Sequence, residues 1–480
     1  MVPLFGINIF FWIKFWMLLI VNNGAIMKSV ELLLPAGNFE KMEYAFAYGA
    51  DATYLGIPRF SLRARQNSFS RKDVIAAIDY ARQLGKKVYV TANIFPHNRK
   101  VQPFIDYIDE FLQDCQPDAW IMSDPGMIMA MREKHPQQAI HLSVQANTVN
   151  YMTVKFWEKI GVQRIILSRE LSIDEISEIR YHCPDIELEA FVHGSICIAY
   201  SGRCLLSNYF ASRDPNQGTC PNSCRWKYRI FGRDMIQPDW LKSTTENNRL
   251  TQHGNEYTDL YGEYYLEESQ RPGELLPIDE DENGTYIMNS RDLCAIEYLD
   301  ELYRAGVNSF KVEGRTKSVY YVVSITRAYR KAVDDMLAGK PFDRKYLRDI
   351  FATANKGFIS GFLKGNPGRS AQKYDSDAAE YSCYRFSGIA LDYDDQHKLL
   401  KVVPKNQIWK NMNIELVTPH QIIPHRISKV FDMEQEPVDV VHPGTEFCWI
   451  DHPENPGDYV LLREKIDEFI PEQVRVSRTV

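Results

Sequence analysis

Short apolar runs alternate with amphipathic ones along most of this chain. Eight of the apolar runs predict strands: Glu31–Pro35, Ala52–Leu55, Lys87–Asn93, Ala119–Met122, Ile140–Val144, Arg164–Leu167, Ile186–Val192 and Ser309–Val312. Helical segments lie between them. One runs from Asp73 to Leu84, with Val74, Ile75, Ile78 and Ala81 on one face and Gly85 as its stop. Another opens on Ser172-x-x-Glu175, a capping box in front of Ile176 and Ile179. Such alternation predicts an α/β fold. Eight units closing on themselves make a TIM-like (β/α)8 barrel, and a doubly wound open sheet is the alternative.

The pattern changes twice. Between the seventh and eighth strands lies an acidic, turn-rich insertion, Asp234 to Asn283, too polar for much core. The helix after the last strand, Lys317 to Leu337, ends before Gly339-Lys340-Pro341, and residues 342–377 read as a mixed helical and loop connector. From about Tyr381 short alternating runs predict an all-β module, a small barrel. The expected division is therefore 1–26, an apolar extension; 27–340, the barrel, with insertion 195–283; 341–380, a connector; and 381–480, the β-barrel domain and tail. Residues 1–26 are apolar enough for a membrane span, but Lys14 sits at the centre and a signal peptide's basic start and cleavage site are missing. They read as an upstream start rather than an anchor. Nothing after Met27 is long and apolar enough to cross a bilayer, so a cytoplasmic protein without a membrane partner is expected.

With 480 residues, 45% hydrophobic and 25% charged, the chain can bury a large core in two or more domains. The net charge of -7 argues against broad nonspecific nucleic-acid binding, which relies on many phosphate contacts. One stretch departs from this balance. Between Ser201 and Arg233 stand Arg203, Arg213, Arg225, Lys227, Arg229 and Arg233 against the single acid Asp214. Arg213, Arg225 and Lys227 are candidates for substrate phosphates, with Trp226 or Tyr228 to stack on a base; a solvated loop is the plainer alternative.

The same stretch holds Cys197, Cys204, Cys220 and Cys224, spaced Cys-x6-Cys-x15-Cys-x3-Cys. Four converging thiolates fill a tetrahedral zinc site or hold a four-iron cluster, and spacing does not choose between them. Gly194, Gly202 and Gly218 let the loop wrap closely. Disulfides would require an oxidising compartment. The other cysteines, Cys115, Cys183, Cys294, Cys383 and Cys448, are scattered singly.

A barrel puts its chemistry at the C-terminal ends of its strands. The polar residues there are Asn93, Asp124, Gln145, Asn147, Arg169, Glu170, His193, Glu313 and Arg315. Gln145, Asn147, Arg169 and Glu170 are candidate substrate contacts. His193, beside the cysteine loop, is a candidate to donate a hydrogen bond or a proton, and a structural histidine is its alternative. Glu313 and Arg315 complete the candidate catalytic set, the arginine gripping a carboxylate or phosphate; an internal ion pair is the alternative.

The run Glu189 to Ser207, EAFVHGSICIAYSGRCLLS, resembles the defining motif of peptidase family U32, the collagenase-like proteins. The likeness continues through RDPNQGTCPNSCRWKY, ELLLPAGNFEKMEYAFAYGADATYLG, HLSVQANTVN and FKVEGRTKS, and is nearest to the branch that hydroxylates tRNA. The resemblance implies an enzyme forming 5-hydroxyuridine at the wobble position, with the tRNA anticodon loop as partner and prephenate as co-substrate. It also implies a 4Fe-4S cluster on Cys197, Cys204, Cys220 and Cys224, with zinc the alternative. A U32-type protease and a noncatalytic RNA-binding subunit of a modification complex are the other readings.

Overall fold

The computed structural model describes residues 29–62, 64, 68–196, 291–353, 357–365 and 382–466, and the backbone of strands Tyr228–Gly232, Tyr264–Glu268, Leu275–Ile278, Glu280–Asp281 and Gly284–Thr285. Eight parallel strands form a ring: β1 (Glu31–Pro35), β2 (Ala52–Gly56), β3 (Lys87–Ala92), β4 (Ala119–Met122), β5 (Ile140–Leu142), β6 (Arg164–Ile166), β7 (Glu187–Gly194) and β8 (Ser309–Val312). β8 closes it by pairing with β1 at Glu31↔Ser309 and with β7 at Phe191↔Lys311. Closure decides for the barrel over the open sheet. Strand alternation then sorts side chains into two cores. Leu32, Leu34, Val88, Val90, Leu188 and Val192 pack outward among the helices, while Leu33, Tyr54, Tyr89, Ile121, Ile166 and Phe191 meet inside the ring.

Local capping sets the helices as expected. Ser70 and Asp73 form a reciprocal box that opens helix Arg71–Gln83, and Gly85 stands in the left-handed region behind it. Ala77, rather than Ile75, joins Val74, Ile78 and Ala81 on its buried face. Ser172 and Glu175 open helix Ile173–His182 in the same way.

Two short strands that the sequence reading did not expect join the barrel's sheet. Asp292–Cys294 runs antiparallel to the end of β7, matching Leu293 to Gly194 and Cys294 to His193, and Phe358–Ile359 lies parallel beside it. Part of the expected connector thus belongs to the barrel, where it extends the sheet at the mouth.

Beyond it, Tyr384–Asp394 sits within an antiparallel eight-stranded sheet with its own core, including Leu400, Val402, Ile414, Leu416, Ile450 and Leu462. Buried polar contacts clamp this module to the barrel. Tyr48 donates its hydroxyl to Val417 O at 2.7 Å, with Tyr459 O at 2.9 Å. Arg463, fully buried, pairs with Asp349 (3.1 Å) and Glu415 (2.9 Å), its guanidinium 4.0 Å from the centroid of the Tyr384 ring. Burial alone would raise Asp349, but Arg463 and Arg327 hold its carboxyl below the ordinary value. Among the described residues no helix is long and apolar enough to cross a membrane.

Candidate functional site at the barrel mouth

The interior of the ring begins, at the strand N-termini, with a saturated ion cluster. Arg164 reaches Glu31 (2.6 Å), Glu187 (2.7 Å) and Glu189 (3.2 Å), while Lys311 donates to Glu189 at 2.6 Å. Ser309 and Tyr89 add hydroxyl bonds to Glu31 at 2.8 and 2.5 Å. Burial alone would raise Glu31, yet Arg164 holds it below the ordinary carboxylate value. Lys311 also lies 4.3 Å from the Tyr54 ring centroid and 5.5 Å from that of Phe191. Buried charges in such numbers are tolerable because each has an opposite partner.

Towards the C-terminal ends the interior turns to hydroxyls and amides. Arg315, nine-tenths buried, donates through Nη1 to Ser61 Oγ and Thr91 Oγ1, both at 3.3 Å, and those two oxygens are 2.8 Å apart. A Cβ on Gly56 would come within 2.8 Å of Arg315 Nη1 and of Ser61 Oγ, so this close approach depends on glycine. Asn93 is spent on Ser143 Oγ (3.1 Å) and on the amide of Leu62 (3.1 Å). Asp124 is the N-cap of helix Pro125–Lys134, accepting from Met127 N at 3.0 Å, which makes it a structural residue. Gln145 lies half-buried in the short turn Val144–Ala146. Asn147, at φ 52°, reaches Ser168 Oγ at 3.2 Å.

Arg169 contrasts with all of these. Its guanidinium sits 3.9 Å from the centroid of the Phe191 ring and makes no ion pair among the described residues. Phe191 therefore has a cation at each of two distances, Lys311 with its carboxylate and Arg169 without one. Glu170 follows Arg169 and is half-buried. The ends of β7 and β8 are drawn together by Glu313 N donating to His193 O at 2.9 Å. Gly194, at φ +103°, permits this contact, since a Cβ there would lie 2.5 Å from Glu313 O.

His193 departs from its expected role. Only 1% exposed, it packs its imidazole among the rings of Tyr321, Tyr329 and Phe358, with Nδ1 3.2 Å from the Tyr329 hydroxyl. Burial pushes its pKa down to about 3, Lys317 adding to this and Glu313 opposing it. A ring so far below its ordinary value is neutral at physiological pH. Tyr329, Cys294, Ser61, Thr91 and Phe191 are the site residues that sequence reasoning missed. Phe191 stands inside the Glu189–Ser207 run but was not singled out there, and the other four stand in no motif of their own.

Cys197, Cys204, Cys220, Cys224, Arg213, Arg225 and Lys227 lie outside the described residues, as do residues 1–26. Among the described residues no group of three His, Cys, Asp or Glu side chains could hold a metal ion. The described cysteines are all buried and unbridged. Burial raises the thiols of Cys115, Cys183, Cys294 and Cys448, which keeps them protonated and poor ligands. Soft thiolates, as expected of Cys197, Cys204, Cys220 and Cys224, fit iron-sulfur and zinc alike.

Fold and mouth together define a (β/α)8-barrel protein with a cysteine-rich loop leaving its seventh strand and an antiparallel β module behind it. The chain belongs to peptidase family U32: the family's model matches residues 37–373, and that of the U32 C-terminal domain matches residues 382–463. It is 44% identical to tRNA hydroxylation protein P of Haemophilus influenzae, over 91% of this chain and 96% of that one. To the protein of the same name from Escherichia coli it is 45% identical, over 91% and 97%. A collagenase of Porphyromonas gingivalis is 26% identical over 76% of this chain and 80% of its own length. The solved U32 peptidase Mk0906 covers 35% of this chain and 71% of its own, with 13% identity and a TM-score of 0.32.

Proposed function

We propose that this chain hydroxylates tRNA, forming 5-hydroxyuridine at the wobble position, with prephenate as co-substrate and a 4Fe-4S cluster on Cys197, Cys204, Cys220 and Cys224. The observation that carries the reading is the 44–45% identity, across nine-tenths of the chain, to two proteins named for tRNA hydroxylation. When bound, such a cluster would supply electron transfer. The chain's own residues supply Arg169, a cation with no ion pair among the described residues, and a set of hydroxyl and amide groups. Arg169 binds a carboxylate or phosphate, and the anticodon loop offers a base that leaves its stack without breaking a duplex pair. The basic residues Arg213, Arg225 and Lys227 take the flanking phosphates.

A protease reading rests on the family's name and on the collagenase relative. It requires an activated thiolate beside a histidine, whereas burial raises the described thiols and Tyr329 occupies His193 Nδ1. Deleting the gene and measuring wobble 5-hydroxyuridine by mass spectrometry tests the main reading: its level falls to background and returns with the gene. Reconstitution with purified protein, prephenate and undermodified tRNA separates an enzyme from a noncatalytic subunit. Anaerobically purified protein carries about four iron and four sulfide per chain. Serine at any of the four loop cysteines removes them, and Cys115→Ser does not. Colourless protein with one zinc would overturn the cluster and leave the tRNA reading standing.

A further inference from the structure

The outer wall of the barrel is not uniformly polar. Half of the large apolar side chains that the described residues expose stand on three consecutive helices. They are Met129 on Pro125–Lys134, Val149, Met152, Phe156 and Ile160 on and beside Tyr151–Lys159, and Tyr181 on Ile173–His182. The middle helix already buries Val154 and Trp157 against the barrel. Spaced by four, Met152, Phe156 and Ile160 fall on one line down another side of it, and Met152 and Phe156 are 62% and 52% exposed. A helix that turns apolar side chains to water as well as to its core has a second surface to cover. The three helices present it together: Arg132 lies against Gly161, where an added Cβ would meet it at 3.3 Å, and the Tyr151 ring stacks on His182 with centroids 4.0 Å apart.

Its area, its charge and its symmetry say what covers it. The six side chains leave on the order of 500 Å² to water, and with a charged rim the face approaches the about 800 Å² that each partner of a stable dimer gives up. On that rim Glu133 and Glu178 of the outer helices, and Lys155 and Lys159 of the middle one, make no ion pair among the described residues. An RNA or a lipid surface calls for the lysines without the acids, whereas a rim bearing both signs complements itself. The apolar line also reads alike in both directions from Phe156, with Met152 one turn above and Ile160 one turn below. Set antiparallel on a second copy, it lays Phe156 on Phe156 and Met152 on Ile160, as a twofold contact requires. Helices packed ridge into groove cross at about 50°, so each end of the middle helix passes over an outer helix of the other copy, where Lys155 and Lys159 meet Glu133 or Glu178.

We propose that this face is a twofold interface between two copies of the chain, with Phe156 at its axis. β5 lies opposite β1 in the ring, whereas Tyr48 and Arg327, which help to seat the C-terminal module, belong to the helices after β1 and β8. Packing through the wall at β5 therefore leaves the module and the mouth of each copy uncovered. The proposal is independent of the tRNA reading above.

The test is sedimentation equilibrium of the anaerobically purified full-length protein at micromolar concentration, with a mass of twice the 55.7 kDa of one chain expected. Phe156→Asp changes an exposed position, so it keeps the circular dichroism of wild type and weakens association by about a hundredfold or more, each dimer carrying the change twice. Lys72→Asp, on the exposed side of helix Arg71–Gln83, leaves association as it was. Should Phe156→Asp fail to fold, Phe156→Cys decides the matter: a short bismaleimide links it into a covalent dimer and does not link wild type or Lys72→Cys. A wild type that stays at the mass of one chain overturns the proposal. So does a dimer that Phe156→Asp leaves intact and Phe156→Cys does not link. If residues 1–26 cover the face instead, Phe156→Cys reacts with maleimide only after they are removed; if RNA covers it, an anticodon stem-loop protects Phe156→Cys in a protein of single-chain mass. Either result also overturns the twofold interface.

Discussion

The two halves of the barrel interior handle polar groups in opposite ways. Below Phe191 the charges of Glu31, Arg164, Glu189 and Lys311 are matched at 2.6 to 3.2 Å. Towards the mouth Arg169 has a ring to lie on but no carboxylate among the described residues. The lower half reads as structure because its charges are matched from within, although His141 Nδ1, buried beside Tyr89, has no hydrogen-bond partner among the described residues. The mouth differs in one cation, Arg169, which has no ion pair among the described residues while Arg315, Asn93 and Asn147 are engaged, and Phe191 divides the two.

The largest effect should come from breaking the lower half. Glu189→Ala leaves Lys311 and Arg164 short of a carboxylate in a fully buried place and should destabilise the fold by about 3–5 kcal/mol. Urea denaturation at neutral pH measures this. A double variant, Glu189→Leu with Lys311→Met, removes both charges at similar volume and should recover much of the loss. If the double variant is no better than the single, the cluster is more than a structural plug.

Arg169 should behave in the reverse manner. Its removal orphans no described partner and forfeits a cation–ring contact of about 0.5–1 kcal/mol, so Arg169→Met should unfold within that range of wild type. Hydroxylation kcat/KM should fall by roughly 10- to 150-fold, the value of a charge-assisted hydrogen bond of about 1.5–3 kcal/mol. A variant as active as wild type would return the anion to Arg315 or to the basic loop.

This contrast was only partly legible in the sequence. The eight barrel strands were, because parallel strands leave apolar runs whose spacing survives any detail of packing, and three of them end where expected to the residue. Strands Asp292–Cys294 and Phe358–Ile359 were not, since two or three residues carry no periodicity and pair only through tertiary contact. The strand-end rule found Arg169, Asn147, Arg315 and His193 as positions. It could not tell which was occupied: Arg315 is engaged by hydroxyls from Ser61 and Thr91, 254 and 224 residues away, and Asp124 is a helix cap. His193 was expected to give a hydrogen bond or a proton because it stands next to the cysteine loop, with a structural histidine as the alternative. The partner that sets its chemistry, Tyr329, lies 136 residues on, in a helix where a buried tyrosine looks like any other core residue.

The smallest effect concerns acid, and it separates His193 from the ion cluster. An unfolded histidine takes up its proton near pH 6.5, whereas burial pushes the folded His193 down to about 3. Below pH 6.5 the unfolded chain binds a proton that the folded one refuses, so stability falls as pH falls, beginning near 6.5 and continuing to about 3. One unit into that window, at pH 5.5, the loss due to His193 is about 1.4 kcal/mol. Glu31 titrates the other way about: its folded carboxyl is lowered, so the stability it contributes is present above the unfolded carboxylate pKa and is lost only in stronger acid. The two regions therefore fail in different pH ranges. His193→Asn keeps a donor near the place of Nδ1 and removes the titration. Its unfolding free energy should change less than that of wild type between pH 7.5 and pH 5.5, by about 1.4 kcal/mol. Since His141, also buried with a lowered pKa, remains in both proteins, its contribution cancels in the difference. Equal slopes in the two proteins would mean that burial does not lower the pKa of the folded His193.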